Sequence, residues 1–382
     1  MATSFKTLQA TDVQASRTKL HEAIPVTGTI VSGTYLVANA STNVKNFSHG
    51  MFQSVYDYPF LSSSANHIFD ITVGMSANSA LSASTNVQGK QKLQLYNQMA
   101  QILVGHDATG SIREFDRDGD LTSGDKFHDG IFFNFSRLLV KDELQKGTFR
   151  MEVSVDPTGT YDQISRTNRV IKITDTSGSN SFKTNSPAGE YGILFVTSST
   201  SGTLNTDLEH NQGLPCGLLY YQAGIAVLSS SLFKVHASGG LLGNELYGWG
   251  GNLAPNTGGK VTMSSASNFN IDEDLQGNSI SGTADDLRNR LQDIYFANTT
   301  ELNSTIYFCR ANASDFNYSS NPTYLSKSQI RVKETREDSP VSYITTVGLY
   351  GANNELLAVA KLSEPLKKTP ANEFTLRVRL DY

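Results

Sequence analysis

The sequence predicts a mainly β protein with a minor α part, built as β-sandwich-like domains with two short amphipathic helices and long loops. Three observations lead there. Hydrophobic residues make up 38% and charged residues 18% of the 382, and Ser, Thr, Asn and Gly fill the difference. That composition favours strands and turns. Short runs rich in Val, Ile, Tyr and Phe recur between Gly, Asn, Ser and Pro clusters. A helical stripe of apolar residues shows at two places, "KQKLQLYNQMAQILVG" and "TADDLRNRLQDIYFAN", against many stretches with a two-residue period.

Four segments follow. Residues 1–60 read as an extended N-terminal arm, in which "TGTIVSGTYLVANAS" is the strand-like part. Residues 61–159 read as an α+β segment. "HIFDITVGMS" is its first strand. In the helix after it, Leu95, Met99, Ile102 and Leu103 form one apolar stripe, and Gly105 sits where a C-terminal glycine belongs. The dense apolar run Ile131 to Val140 reads as a buried strand, and "GTFRMEVSV" alternates as a half-buried one, closed by the turn "DPTG".

Residues 160–278 read as an all-β domain or insertion, with strands at "RVIKITD", "YGILFVT", "GLLYYQAGIAVLSSSLF" and "GKVTMSSASNFNI". Residues 279–382 read as a C-terminal helix plus a β-hairpin sheet domain. Thr283 is its expected N-cap, and Leu287, Leu291 and Ile294 are its expected stripe. "STIYFCRA" is a strand. Ile344 to Tyr350, the turn "GANN" and Leu356 to Leu362 form a hairpin, and "SEPLKKTPAN" reads as a polar excursion. Phe374, Leu376, Val378 and Leu380 then alternate with Thr375, Arg377, Arg379 and Asp381 in a final half-buried strand.

Several function classes are disfavoured. The net charge is −5 with Lys and Arg scattered, so no nucleic-acid partner is expected. Cys216 and Cys309 are too few and too far apart for a disulfide scaffold or a zinc site. No apolar run is long enough for a spanning helix, and the first residues lack the core of a signal peptide. Without such a signal, the Asn-x-Ser/Thr sequons reflect composition. No Gly-x-Ser-x-Gly elbow or phosphate loop occurs.

Two stretches could carry a site. "FDRDGDLTSGD" spaces Asp116, Asp118 and Asp120 as in calcium loops, but Leu121 stands at the sixth loop position and Phe127 at the twelfth, where an EF-hand needs Gly and Glu. The plain reading is an acidic surface loop; the sharp one is a structural cation bridging subunits, the one cofactor considered. His106, Asp107, His128 and Asp129 surround the loop without a metal-protease spacing. Trp249 and Tyr247 lie in the Gly-rich "GGLLGNELYGWGG", and an exposed Trp there would suit a contact with protein or sugar.

The closing hairpin, "ITTVGLYGANNELLAVAKLSEP", resembles a pattern in baseplate and tail-fibre-attachment proteins of contractile-tailed bacteriophages. Ile344, Val347, Gly348, Leu349 and Tyr350 match its first strand, Asn353 and Asn354 its turn, and Leu357, Ala358, Ala360 and Pro365 its return. "YNQMAQILVGHDATG", "FNFSRLLVKDELQKGTF" and "GLLYYQAGIAVL" resemble segments of virion structural proteins of such phages. The resemblance implies a non-enzymatic structural subunit located in the virion tail and made in the host cytoplasm. Its partners would be other virion proteins and further copies of itself. The hairpin residues Gly348, Leu349, Tyr350, Leu357, Ala358 and Ala360 would serve assembly. A neck or collar protein, a host-receptor or glycan-binding tail protein, and a virion-associated hydrolase are the alternatives.

Overall fold

The computed structural model describes residues 5–35, 42–82, 85–121, 124, 126–154, 170–199, 214–233, 275–319, 323–326, 329–331, 333, 335 and 337–382. The chain is mainly β. Its strands are β1 (Val13–Pro25), β2 (Val44–Asn46), β3 (Gln53–Tyr56), β4 (His67–Met75), β5 (Asp129–Phe135), β6 (Glu143–Leu144), β7 (Arg150–Ser154), β8 (Val170–Thr174) and β9 (Lys183–Ser186). They continue as β10 (Gly189–Ser199), β11 (Leu214–Tyr220), β12 (Ile225–Ser229), β13 (Leu291–Ala311), β14 (Leu325–Ser326), β15 (Gln329–Ile330), β16 (Ser342–Tyr350), β17 (Leu356–Lys368) and β18 (Phe374–Asp381). The helices include α1 (Gly89–Leu103), the single turns α2 (Arg137–Val140) and α3 (Gly178–Ser181), and α4 (Ile280–Arg290). Among the described residues no helix is long and apolar enough to cross a membrane.

Two compact units divide the chain: a large unit, His21–Thr300, and a terminal unit, Met1–Leu20 with Glu301–Tyr382. They run across the four sequence segments because strand pairing links distant residues.

The large unit is one antiparallel sheet in the order β13-β7-β8-β10-β11-β12-β5-β4-β3-β2. Strands from residues 61–159 and 160–278 interleave in it: β12 pairs with β5 and β8 with β7. Its middle strands are covered on both faces. The register Phe133↔Ala226 and Leu219↔Ala226 puts Phe133, Ala226 and Leu219 on one face, in the larger core. Phe132, Val227 and Leu218 line the other face with Tyr96 and Leu103 of α1. A sheet buried on both sides has no polar face to alternate with, so these strands read as continuous apolar runs.

α1 forms where its stripe was expected, with Gly105 left-handed behind it at φ 83°. The buried side is rotated, however. Lys92, Leu95, Tyr96, Ala100 and Leu103 face inward, while Ile102 is exposed. The reason is Lys92, whose ammonium donates to Asn86 Oδ1 and to the carbonyls of Leu275 and Asn278 at 3.0, 2.5 and 2.8 Å. All three of its protons are used, which makes its burial tolerable. Gly74 of β4 lets the helix come close: a Cβ there would lie 2.8 Å from the Tyr96 nitrogen and 2.9 Å from the Lys92 carbonyl oxygen.

Other elements differ from expectation. The Ile131–Val140 run is a strand only to Phe135, because Ser136 caps α2 by accepting the Leu138 N–H. "GLLYYQAGIAVL" is the β11–β12 hairpin, turned at Gly224 with φ 68°. The second helix starts at Ser279, whose hydroxyl accepts the Gly282 N–H, four residues before Thr283. It ends at Arg290, and Leu291 and Ile294 belong to β13, opposite Val153 and Met151 of β7. Near the N-terminus the strand lies upstream of the expected place, at β1, and Thr27–Thr29 is a 3-10 turn. The Thr27 hydroxyl donates to Asp293 Oδ1 at 2.7 Å and holds that turn. "GKVTMSSASNFNI" and "DPTG" lie outside the described residues.

In the terminal unit β18 runs antiparallel to the second half of β13, from Ser304↔Asp381 to Ala311↔Phe374. β16 and β17 form a two-stranded sheet of their own, and so do β14 and β15. The arm residues are tied into this unit. Lys6 pairs with Asp315, Asp12 with Arg310, and both Arg17 and Lys19 with Glu301.

Candidate functional site

Asp116, Asp118 and Asp120 come together as their spacing implied. One carboxylate oxygen of each lies within 4.8 Å of the others, and among the described residues this is the one such group of carboxylate, His or Cys ligands. Successive Asx turns build the loop: Asp116 Oδ1 accepts the Asp118 N–H at 3.2 Å, and Asp118 Oδ1 accepts the Asp120 N–H at 3.0 Å. Leu121 is left-handed at φ 63° in the place a calcium loop gives to glycine.

The chemistry inside the loop is not that of an open cation site. Asp116 is fully buried and forms an ion pair with Lys126, ten residues on. Burial pushes the Asp116 carboxyl up, the Asp118 hydrogen bond adds to this, and Lys126 opposes it. The Lys126 ammonium thus supplies the positive charge a cation would bring. The Gly119 carbonyl is also occupied, accepting from Tyr191 Oη and Asn185 Nδ2, both at 3.1 Å. Asp118 is half-buried and Asp120 is exposed.

Among the described residues, His128 does not form a nucleophile–histidine–acid relay. His128 Nδ1 lies 3.2 Å from Glu114 Oε1 and 3.4 Å from Ser76 Oγ. A serine–histidine–acid relay needs the acid on one ring nitrogen and the nucleophile on the other. Here both face the same nitrogen. Asp129 accepts the Ser79 hydroxyl at 2.6 Å, and Asp107 closes its own turn by accepting from Thr109 and Ser111. Those hydrogen bonds, the Thr109 hydroxyl first, hold the Asp107 carboxyl below its ordinary range. Trp249 and Tyr247 lie outside the described residues.

The C-terminal hairpin is the remaining site. Val347↔Ala360 and Leu349↔Ala358 share one half-buried face. Gly348↔Val359 and Tyr350↔Leu356 share the other, and a bulge places Leu357 beside them. On that face Leu357 is 68% exposed, Leu356 53% and Val359 50%. Gly348 has a physical role: a Cβ there would lie 2.9 Å from the Tyr350 ring, which leans across its Cα. The Phe5 ring meets Tyr350 edge-on at a centroid distance of 5.1 Å.

At the far end of the hairpin lies a residue the sequence did not single out. Lys368 is fully buried, and its ammonium donates to the Ala313 and Thr369 carbonyls and Asn317 Oδ1 at 3.0, 2.9 and 2.8 Å. Burial holds its pKa below the usual lysine range. β17 therefore runs straight through Pro365 to Lys368, where a polar excursion was expected. Nothing in "LKKTP" signals which lysine turns inward.

No family model, curated protein or solved structure matches this chain.

Proposed function

We propose that this chain is a non-enzymatic structural subunit of a virion, a tail baseplate or fibre-attachment component of a contractile-tailed bacteriophage. One observation carries the structural part. Among the described residues, neither buried core contains a residue of the terminal unit. A two-stranded ribbon without a core is marginal in water, and exposed apolar side chains in a contiguous patch are a feature of contact surfaces. The unit is half of an interface. The motif resemblance of Ile344 to Pro365 supplies the phage part. Other virion proteins and further copies of the chain are the partners. A glycan- or receptor-binding role would rest on Trp249 and Tyr247, and the described residues lend it no support.

The test is immunogold labelling of purified tails with an antibody to this chain, with mass spectrometry of the same particles. Labelling at one level of the tail, in stoichiometric amount, is the expected result. Absence of the chain from the particles would sink the proposal.

A further inference from the structure

We propose that strand β16 pairs antiparallel with β16 of a second copy, so that two C-terminal hairpins join into one four-stranded sheet across a two-fold axis. The proposal rests on the structural-subunit reading and names the partner and the strand that makes the contact.

A difference among sheet edges carries it. Among the described residues, the long strands with one side unpaired are β1, β16, β17 and β18. An open edge offers its N–H and C=O groups to any extended chain, and folded proteins block it with charged side chains, proline or a short strand. β1 carries Arg17, Lys19, Glu22 and Pro25. β17 carries Lys361, Glu364, Pro365 and Lys367, and a bulge breaks its register between the partners of Ile344 and Thr346. β18 carries Arg377, Arg379 and Asp381. The edge strands β2 and β9 are short, and each includes a lysine. β16, SYITTVGLY, runs for nine residues with neither a charge nor a proline. Among the described residues its backbone pairs with β17 and with no other strand. Thr345 and Thr346 stand exposed on it, and Tyr343 and Tyr350 are about half exposed.

The lack of charge lets this strand lie against itself. Full antiparallel overlap of Ser342–Tyr350 puts Thr346, the middle residue, opposite its own mate. Thr345 then faces Val347 of the second copy, and Tyr343 faces Leu349. No like charges meet, and the facing residues are largely β-branched and aromatic, the types that pair well across strands. β18 laid against itself about Val378 would instead set Arg377 against Arg379, a like-charge opposition that weakens pairing.

The distribution of blocked edges fits the same arrangement. The outer strands of the joined sheet are the two β17 strands, both already blocked. The contact is isologous, so it closes at two copies and leaves no bare edge. A two-stranded ribbon is marginal in water, and the joined sheet exceeds the three strands that independent stability asks for. Main-chain hydrogen bonds supply the affinity, as in other cases of strand addition.

The experiment combines sedimentation velocity with amide hydrogen exchange on the full-length chain, dilute and concentrated. The concentrated wild type should be a dimer. Exchange of the amides at 342–350 should slow as the dimer fills, because the outward N–H groups gain partners. The amides of β1 and β18 should exchange alike in both states. Two variants at the exposed Thr346 test the match of the strand with itself. Thr346→Lys and Thr346→Glu each place like charges at the axis and should weaken the dimer by about tenfold or more. Mixed in equal amounts, they should pair with each other at close to wild-type strength. Unchanged exchange in the large unit would show that both variants fold.

A wild-type chain that stays monomeric when concentrated overturns the proposal. A dimer whose 342–350 amides exchange as fast as the monomer's, or whose affinity ignores both variants, overturns it by placing the contact elsewhere. Weakening in both variants with no rescue on mixing also overturns it, since the two copies of β16 then do not oppose each other. If a monomeric chain is nonetheless found on tails by the antibody, the structural reading stands and β16 receives a strand of a different virion protein. A dimer with the expected rescue, formed by a chain absent from tails, would do the reverse.

Discussion

The two units are written in the same strand-rich alphabet and end in opposite physical states. In the large unit a residue such as Phe133 has neighbours on its own strand, across the ladder, and in the layer above the sheet. The next residue, Phe132, has the same on the other side. In the terminal unit the strands alternate as well, but the apolar face of β16 and β17 is half-buried at best and the opposite face carries exposed leucines. Ion pairs tie its N-terminal residues to the later ones: Lys6 with Asp315 and Asp12 with Arg310. Exposed pairs of this kind contribute little each. Alternation in a sequence therefore promises a face and does not say who covers it. In one unit the chain covers it; in the other, among the described residues, it leaves the leucines exposed.

The comparison breaks most visibly in the large unit. Phe133→Ala removes a fully buried ring and should cost about 3–5 kcal/mol. Urea unfolding would show a lower midpoint at an unchanged slope. A loss under about 1 kcal/mol would mean that the sheet is not closed over as the residue's burial implies. Lys126→Ala should come next. It leaves the buried Asp116 carboxylate without its ion-pair partner, at a cost of roughly 1–3 kcal/mol given the partial exposure of the lysine. Asp116→Asn in the same chain should return most of that loss. Added calcium should leave the wild-type melt unmoved, because Lys126 already occupies the buried carboxylate. A calcium-dependent rise in Tm would reopen the loop as a cation site. Gly74→Ala presses a methyl group against the α1 backbone and should cost about 1–3 kcal/mol, read from the same unfolding curves.

Acid should find a particular joint of the large unit. Burial alone would raise the Asp293 carboxyl, but the Thr27 hydroxyl and the Arg150 guanidinium outweigh it and hold the carboxyl below its ordinary range. A carboxyl depressed in the folded state stabilises the fold above its unfolded pKa, near 4, and that contribution is lost as pH falls through the folded value. Asp293→Asn should therefore lower Tm at pH 7 and make no difference in strong acid, below both values. Equal deficits at both pH values would show that the residue acts through shape and not through charge.

How much of this was legible depended on whether a residue's partner was local. α1, β4, the final hairpin and β18 follow from spacing alone, since their periods are long and their turns carry Gly, Asn or Pro. The helix-to-strand switch at Arg290 was not legible. Leu287, Leu291 and Ile294 suit a helical stripe, and only the pairing of β13 with β7, more than a hundred residues earlier, makes the last two strand residues. The aspartate loop showed itself through its two-residue spacing, and the arrival of Lys126 in it did not. Lys92 and Lys368 escaped for the same reason. A buried lysine is announced by the carbonyls that receive it, and those belong to other parts of the chain.

The smallest expected effect sharpens the contrast most. Leu219 and Leu357 are the same residue type, both on antiparallel strands. Leu219 is fully buried in the sheet core; Leu357 is 68% exposed on the hairpin. Leu219→Ala should cost about 2–5 kcal/mol, because transfer and cavity terms both apply. Leu357→Ala has neither term to lose in a single chain, so its effect on unfolding at low protein concentration should stay within about 0.5 kcal/mol. Its effect should grow as concentration rises and copies associate, because only then does the side chain leave water. A Leu357→Ala chain that is already much less stable when dilute would mean that the hairpin is covered within its own unit, and the difference between the two units would shrink to one of degree.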